Sequence, residues 1–316
     1  MSRIHDALKR AEEEKTSALP TSGVGQDPPS PAPPASVLSS SAGSAAERLP
    51  LSASPASGET VDAAALVQLL QIRCPQASWK PDWTSLPGME GGQHAPENEE
   101  FRSLRSHLYL LRERRPLKHL LITSPLPDEG KTFVSANLTQ VMVQQAEQRV
   151  LVIDADLRRS SLHHLLGAPP EPGLTNFLRG EMDAMSAVKR GLVPNLFFIP
   201  RGQVVSNSSE LLGNGRLKML LQELGPAFDW IILDTPPVIP VSDAKLMADL
   251  CDGVLIVVQS GTTPYDLAQK TCKEFPEGLV LGVILNRVNA KQAYSSYYYY
   301  EHGTTSSGGR KKDRKR

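Results

Sequence analysis

One segment of the chain joins a short apolar run to a turn-rich loop and a helix-forming stretch. Residues 120–123 are apolar up to a threonine, and residues 124–132 read Ser-Pro-Leu-Pro-Asp-Glu-Gly-Lys-Thr. In such a strand–loop–helix unit, backbone N–H groups wrap phosphates, Lys131 reaches the terminal phosphates and the Thr132 hydroxyl binds Mg²⁺. The segment therefore predicts a P-loop. Pro125 replaces the glycine of the standard motif, so an ordinary strand–turn–helix connection is the alternative.

Two further apolar runs end in carboxylates. Residues 150–153 are followed by Asp154 and Asp156, and residues 230–233 are followed by Asp234. Short apolar runs are typical of parallel strands that are buried on both faces. Because ligands of open α/β sheets bind at the carboxyl ends of the strands, we expect these carboxylates to share a crevice with the P-loop. Taken singly, each aspartate has the alternative of a helix N-cap or a turn residue.

The remaining sequence predicts strands and helices in alternation. Predicted strands cover residues 119–123, 150–154, 195–199, 230–234, 253–258 and 279–285, and predicted helices cover residues 131–146, 207–224, 242–250 and 264–274. Alternation of this kind implies βα units with right-handed crossovers. The predicted fold is α/β, a mostly parallel sheet with helices on both faces, of the P-loop NTPase class with a deviant Walker motif.

The three strand-end motifs as a set resemble the Walker A, Walker A′ and Walker B boxes of bacterial protein-tyrosine kinases. Members of this family are P-loop proteins related to partitioning and division-site ATPases. Ahead of the first strand, Glu99, Arg102 and Arg105 follow the spacing Glu-x-x-Arg-x-x-Arg, which resembles the oligomerisation motif of the family. The resemblance covers residues 97–301 and implies an ATP-dependent protein-tyrosine autokinase with ATP and Mg²⁺ as cofactors.

A tyrosine cluster near the end of the chain is part of this resemblance. Five of the seven tyrosines lie there, and the resemblance implies that they are autophosphorylation sites: Tyr294, Tyr297, Tyr298, Tyr299 and Tyr300. The four consecutive tyrosines lack the alternation of a half-buried strand, and a Gly/Ser-rich segment follows them. A solvated acceptor segment is therefore the favoured interpretation.

The resemblance also implies roles for residues in the predicted crevice. The catalytic residues would be Lys131, Asp154, Asp156 and Asp234. The Mg²⁺ ligands would be Thr132, Asp154, Asp156 and Asp234. The ATP-binding residues would be Asp128, Glu129, Gly130, Lys131, Thr132, Phe133 and Asn286. Within the catalytic set, Asp154 is the candidate that orients or deprotonates the acceptor tyrosine, and an exchange of roles with Asp156 stays open.

Two polar residues of the crevice keep two interpretations each. Arg158 pairs either with phosphate or with a surface carboxylate. Asn286, at the end of the last predicted strand, contacts adenine as in related ATPases or caps a turn.

Composition separates the predicted kinase domain from its flanks. We expect an amphipathic helix over residues 1–15, a disordered Ser/Ala/Pro-rich linker over 16–58, a partly ordered lead-in over 59–96, the P-loop tyrosine kinase domain over 97–290, and the tyrosine cluster with a basic disordered tail over 291–316. The basic tail is either solvated or attracted to an anionic membrane surface.

Charge and cysteine content narrow the function classes. A formal net charge of zero gives no electrostatic case for nucleic acid. The three cysteines form no C-x-x-C, which indicates neither a disulfide framework nor a zinc site, so no metal beyond Mg²⁺ is expected. No apolar stretch is long enough for a transmembrane helix or a signal peptide. The predicted location is therefore cytoplasmic, peripheral at the inner face of the cell membrane through a partner.

By resemblance, the kinase would regulate the synthesis and export of capsular polysaccharide or exopolysaccharide. Its expected partners are further copies of itself, as a ring, and a membrane chain-length regulator that activates it. A partitioning-type ATPase switch and a catalytically silent adaptor of the export complex are the alternatives. Partitioning ATPases carry a second lysine five residues before the P-loop lysine, and Leu126 occupies that position here.

Overall fold

A computed structural model describes residues 63–74, 79–82, 86, 97–145, 147–191 and 193–288. The predicted N-terminal helix and linker (residues 1–58) and the tail (residues 291–316) lie outside the described residues. Across the described ranges, none of the helices combines the length and the apolar character needed to cross a bilayer.

The described residues contain seven strands that form one sheet. The strands are β1 (His119–Thr123), β2 (Val150–Asp154), β3 (Lys189–Arg190), β4 (Leu196–Ile199), β5 (Trp230–Asp234), β6 (Gly253–Gln259) and β7 (Val280–Asn286). Their order is β3-β4-β2-β5-β1-β6-β7. Every neighbouring pair is parallel except β3 and β4. The prediction of a mostly parallel α/β sheet is confirmed.

Ten α-helices lie in the described part of the chain. They are α1 (Ala63–Arg73), α2 (Glu97–Arg112), α3 (Lys131–Val143), α4 (Leu162–Leu166), α5 (Leu174–Leu178), α6 (Ala184–Ala187), α7 (Ser208–Gly213), α8 (Arg216–Leu224), α9 (Asp243–Ala248) and α10 (Tyr265–Lys273). The prediction of one helix over residues 207–224 was wrong. The first helix ends at Gly213 with Asn214 as its C-cap, and Gly215, the N-cap of α8, adopts φ 82, a left-handed conformation that separates the two helices.

Alternate residues of the central strands face two different helical layers. In β5, Trp230 and Ile232 belong to the apolar cluster that contains residues of α2 and α3. Ile231 and Leu233 belong to the opposite cluster, with residues of α8 and α9. Full burial of an aliphatic side chain of this size contributes about 1.5–3 kcal/mol. A slip of one residue would exchange the two faces, so the double-sided core fixes the strand register.

The helix that precedes the first strand is packed onto the domain. The rings of Phe101 on α2 and Phe133 on α3 meet edge to face at 5.9 Å. Arg105 donates a hydrogen bond from Nη1 to the carbonyl oxygen of Val141, near the end of α3. Helix α2 is therefore attached to the helix that follows the P-loop.

Asp252 joins several segments at the amino ends of the strands. Its Oδ2 accepts the N–H groups of Lys118 and His119, each at 2.8 Å, and lies 3.2 Å from His119 Nδ1. Arg115 Nη2 donates to the Asp252 carbonyl oxygen at 2.8 Å. Burial alone would raise the pKa of Asp252, but the hydrogen bonds outweigh it and lower the pKa to about 2.

We predict that Asp252→Asn lowers the free energy of unfolding at pH 7 by about 1 kcal/mol. The folded pKa lies below the ordinary value of 3.8, so the carboxylate stabilises the fold above about pH 4 and this contribution is lost as the pH falls through about 2. Urea denaturation between pH 7 and pH 2.5 measures the difference. The exposed neighbour Asp249, changed to Asn, is the control. A difference that does not shrink below pH 4 would contradict the prediction.

Candidate active site

The loop after β1 turns into α3 at a glycine. Gly130 is the N-cap of α3 and has φ 92, in the left-handed region. A Cβ atom at this position would lie 2.0 Å from Asn286 Nδ2. Glycine is therefore required both by the backbone conformation and by the close approach of Asn286.

Glu129 stabilises the loop through hydrogen bonds of its side chain and its backbone. Its side chain is 2% exposed, its Oε2 accepts the N–H of Leu126 at 2.8 Å, and its Oε1 accepts the Thr263 hydroxyl. The carbonyl oxygen of Glu129 accepts a hydrogen bond of 2.8 Å from Asn286 Nδ2. Asn286 Oδ1 in turn accepts the N–H of Arg287 at 2.9 Å. Two residues predicted to bind ATP thus fix the shape of the loop in this structure.

Asp154 and Asp234 lie side by side in the register of β2 and β5. Their side chains are 0% and 1% exposed. Asp154 Oδ2 accepts the Ser160 hydroxyl, and Asp234 Oδ1 accepts the Ser135 hydroxyl at 3.0 Å. Asp154 Oδ1 and Asp234 Oδ2 are buried and have no hydrogen-bond partner among the described residues. An unsatisfied buried carboxylate oxygen costs about 1–3 kcal/mol or more, which marks a place for a cation or its waters.

Burial raises the proton affinity of both aspartates. Burial, and then the charge of Asp234, raise the pKa of Asp154. Burial also raises the pKa of Asp234 to about 6, although the charge of Lys131 and the hydrogen bond from Ser135 oppose this rise. Mg²⁺ prefers carboxylate, hydroxyl and water oxygens, so the donor set of this crevice fits that ion.

Asp156 shapes the loop that follows β2. Its Oδ1 accepts the N–H groups of Arg158 at 3.2 Å and Arg159 at 2.9 Å. The side chain is 5% exposed and lines the crevice. Asp154 and Asp156 therefore differ in environment: the first is completely buried beside Asp234, and the second holds backbone at the crevice wall.

A crevice of about 400 Å³ opens over the P-loop. From the predicted site it is lined by Asp128, Gly130, Lys131, Thr132 and Asp156. Arg158, for which the sequence left phosphate or a carboxylate as the partner, also lines the crevice. The lining residues that were not predicted are Pro127, Arg159, Ser161, Pro236, Pro237, Pro240, Val241 and Arg287. Their signal in the sequence was position alone, because they lie within or a few residues after a strand-end motif or, for Arg287, directly after the last strand.

Arg158 makes its contacts at the crevice wall. Its Nε donates to Asp243 Oδ2 at 3.1 Å, and its Nη2 donates to the Ser209 hydroxyl at 3.4 Å. Asp243 is completely buried and also accepts the hydroxyls of Ser208 and Ser209. The carboxylate partner of Arg158 is thus a buried one, whereas the sequence interpretation had a surface carboxylate.

Other predicted site residues lie away from the crevice. The Phe133 ring packs on Phe101. On α2, Arg102 Nη1 lies 3.6 Å from Glu99 Oε2, and Arg105 contacts α3 within the chain. The five tail tyrosines are outside the described residues.

Comparisons with known proteins agree with this arrangement. Residues 129–270 match the family described as an AAA domain. The tyrosine-protein kinase YwqD of Bacillus subtilis is 34% identical over 195 residues, which cover 60% of this chain and 80% of that protein. The tyrosine-protein kinase ptk of Acinetobacter johnsonii is 34% identical over 197 residues, 62% of this chain but 27% of that protein. This chain thus covers only about a quarter of the length of several of the matched kinases.

A solved structure extends the likeness to three dimensions. The kinase domain of the Escherichia coli tyrosine kinase ETK superposes with a TM-score of 0.59 and is 31% identical. The match covers 67% of this chain and 82% of that one. The P-loop fold predicted from the three strand-end motifs is confirmed. With one kinase relative matched over most of its length and a kinase domain sharing its fold, the chain belongs to the family of bacterial tyrosine-protein kinases.

Proposed function

We propose that this chain is an ATP-dependent protein-tyrosine autokinase. The observation that carries the proposal is the pair of buried aspartates, Asp154 and Asp234, each with an unpartnered oxygen, on strands paired in register with the strand that leads into the P-loop. Lys131 and Thr132 of that loop line the crevice. A pair of carboxylates buried at this cost is suited to a site where charged ligands bind. The names of the kinase relatives support the same reaction class.

The proposed Mg²⁺ ligands are Thr132, Asp154, Asp156 and Asp234, directly or through waters. These residues would hold the ion, which would supply positive charge against the phosphates of the nucleotide. Ser135 donates to one oxygen of Asp234, and Ser160 donates to one oxygen of Asp154. The other oxygen of each aspartate has no hydrogen-bond partner among the described residues and is the proposed ligand atom.

Lys131 and the loop backbone would hold the phosphates. Lys131 begins α3, so the unpaired N–H groups and the positive end of that helix also face the crevice. Arg158 adds a guanidinium at the opposite wall, held by Asp243. Phosphoryl transfer depends mainly on such positioning and charge stabilisation.

Asp154 is the proposed base toward the acceptor tyrosine. A tyrosine hydroxyl has an ordinary pKa of about 10, so a carboxylate with a raised pKa accepts its proton more readily than an ordinary one. Burial and Asp234 raise the pKa of Asp154 in this way. The Ser160 hydroxyl, which donates to Asp154, fixes the orientation of that carboxylate.

The proposed acceptors are Tyr294 and the four tyrosines from Tyr297 to Tyr300. Tyr297 lies eleven positions after Asn286, at the end of β7, and an extended chain over eleven positions spans about 35 Å. A core of about 200 residues has a radius of gyration near 16 Å. The cluster can therefore reach the crevice of a second copy of the chain or that of its own chain, and reach alone does not decide between them.

The wider role is part of the proposal. Residues 97–290 would form the kinase domain, with Glu99, Arg102 and Arg105 in a ring of subunits. The kinase would act in polysaccharide synthesis and export, in the cytoplasm, at the membrane through a chain-length regulator. The opening residues 2–12, Ser-Arg-Ile-His-Asp-Ala-Leu-Lys-Arg-Ala-Glu, support this role because they resemble the start of kinases encoded with exopolysaccharide export systems.

Incubating the purified chain with labelled ATP and Mg²⁺ tests the proposal. Label on tyrosine is the expected result. Release of phosphate without label on tyrosine would favour the partitioning-type ATPase switch, and neither release nor label would favour the silent adaptor.

We predict that Lys131→Ala abolishes autophosphorylation and leaves the fold intact. Lys131 lines the crevice, so its loss removes charge from the phosphates rather than packing from the core. Phosphotyrosine immunoblotting and the thermal unfolding midpoint measure the two effects. Lys270→Ala, at an exposed position of α10, is the matched control. Full activity of Lys131→Ala would overturn the kinase assignment.

Asn286→Ala is expected to weaken binding of ADP and of inorganic tripolyphosphate by the same factor, about five- to tenfold. The reason is that Asn286 donates to the Glu129 carbonyl oxygen and so supports the loop that holds the phosphates. Calorimetry with both ligands measures the factor, and the exposed Asn207→Ala is the control. Weakened ADP binding with unchanged tripolyphosphate binding would instead assign Asn286 to adenine.

Phosphorylation of the tail is expected to take place between subunits and to disassemble the ring. Five phosphotyrosines add about −8 to −10 charges to a chain of zero net charge. In a mixture of a Lys131→Met chain with an active chain whose five tail tyrosines are Phe, label should appear on the inactive chain. Light scattering of the wild-type chain should report smaller particles after ATP is added. An unlabelled inactive chain would contradict transfer between subunits, and unchanged particle size would contradict disassembly.

A further inference from the structure

Three arginines line the same crevice as Lys131, and two of them are already engaged. Arg158 donates to Asp243 and Ser209. Arg287 donates from Nη1 to Gln259 Oε1 at 3.0 Å. The third is Arg159.

Arg159 differs from Arg158 and Arg287 in the contacts of its guanidinium group. Its backbone N–H is held by Asp156 Oδ1 at 2.9 Å, which fixes the position of the residue at the crevice wall. Its side chain is exposed, and within the described ranges its guanidinium makes no hydrogen bond or ion pair. Asp128 and Asp156 also line the crevice, and the Asp156 Oδ1 atom is occupied by backbone donors. Arg159 is therefore a positive group available to a ligand.

The acceptor segment offers one matching charge. Between Lys291 and Arg310, the only residue among Asp, Glu, Lys and Arg is Glu301, and it directly follows Tyr300. The tyrosines on the other side of Tyr300 have no charged neighbour until one of them is phosphorylated. Charge therefore distinguishes Tyr300 from the rest of the cluster.

We propose that Arg159 binds the anionic group that follows the acceptor tyrosine, and that the cluster is therefore phosphorylated in order from Tyr300 towards Tyr297. This inference rests on the proposed autokinase function. Glu301 is the anion in the first round. In each later round, the phosphotyrosine made in the previous round takes its place and brings about −1.5 to −2 charges instead of −1.

Each round is a complete phosphoryl transfer. The phenolic oxygen forms a bond to the γ-phosphorus, the bond from that phosphorus to the bridging oxygen of ADP breaks, and the phenolic proton passes to the base. Two serines separate Tyr294 from Tyr297, so Tyr294 never gains a directly adjacent anion and is the slowest site.

Synthetic peptides of residues 294–302 test the recognition step without regard to which subunit supplies the tail. The peptide with Glu301 should be phosphorylated about two- to fivefold faster than the Glu301→Gln peptide, the effect of one partly solvated charge pair. A peptide already phosphorylated at Tyr300 should be about tenfold faster at Tyr299 than its unphosphorylated counterpart, because phosphate binds arginine in a bidentate manner. These ratios should fall to about one in an Arg159→Gln kinase.

Reversing the charges at Arg159 of the kinase and at Glu301 of the peptide is a more stringent test. An Arg159→Glu kinase should prefer the Glu301→Lys peptide over the peptide with Glu301. Arg114→Gln, a change at an exposed arginine outside the crevice lining, should keep every ratio of the unaltered kinase. Equal rates on all peptides with the unaltered kinase, or ratios that survive Arg159→Gln, would overturn the proposal.

Order in the full chain is measured by mass spectrometry. A Lys131→Met chain is the substrate of the active kinase, and samples are taken both before and after an average of one phosphate per chain is reached. The first phosphate should be on Tyr300 and the next on Tyr299. Phosphorylation in random order would overturn the proposed order and leave the autokinase assignment intact. Absence of phosphotyrosine on every substrate would overturn the autokinase assignment itself.

Discussion

Parallel pairing of β1, β5 and β2 places three sequence motifs at one edge of the sheet. Since β5 lies between the other two strands, its last residue, Asp234, pairs with Asp154 on one side and with Ile122, just before the P-loop, on the other. The double-sided core fixes this register, because a shift of one residue would carry apolar side chains to the wrong layer. The packing of the sheet thus determines the spacing of groups that are 80 positions apart, as for Asp154 and Asp234, or 112 positions apart, as for Ile122 and Asp234.

The same packing buries two carboxylates at the site. Strand ends that are completely covered by helices leave Asp154 and Asp234 with almost no contact with water. Two serines satisfy half of their oxygens, and burial raises the pKa of both groups. A core designed only for stability would hold apolar residues here, since buried unpaired charge is destabilising. The destabilising buried carboxylates lie near Lys131 of the P-loop. This location distinguishes a functional crevice from a well-packed strand end.

The sequence was a good guide to the central strands and a poor one to side-chain partners. The boundaries of β1, β2 and β5 agree with the predicted runs to the residue, because continuous apolar runs end there at polar or turn-forming residues. Helices α4, α5 and α6 were not predicted, since four or five residues are too few to show a helical period. The contact of Arg158 with Asp243 joins residues 85 positions apart, and no local pattern records it. Asn286 was predicted from its strand end, but its contact with the Glu129 carbonyl oxygen depends on the folded loop.

Trp230 occupies an unusual junction between the sheet and α2. It is completely buried, its ring meets that of Tyr109 at 5.4 Å, and the Arg112 guanidinium lies 4.6 Å from its ring centroid. Both neighbours come from α2, the helix that carries the Glu-x-x-Arg-x-x-Arg segment. Movement of α2 away from the sheet would expose the indole and remove the adjacent cation. The emission wavelength and intensity of this tryptophan therefore form a built-in optical signal for the position of that helix.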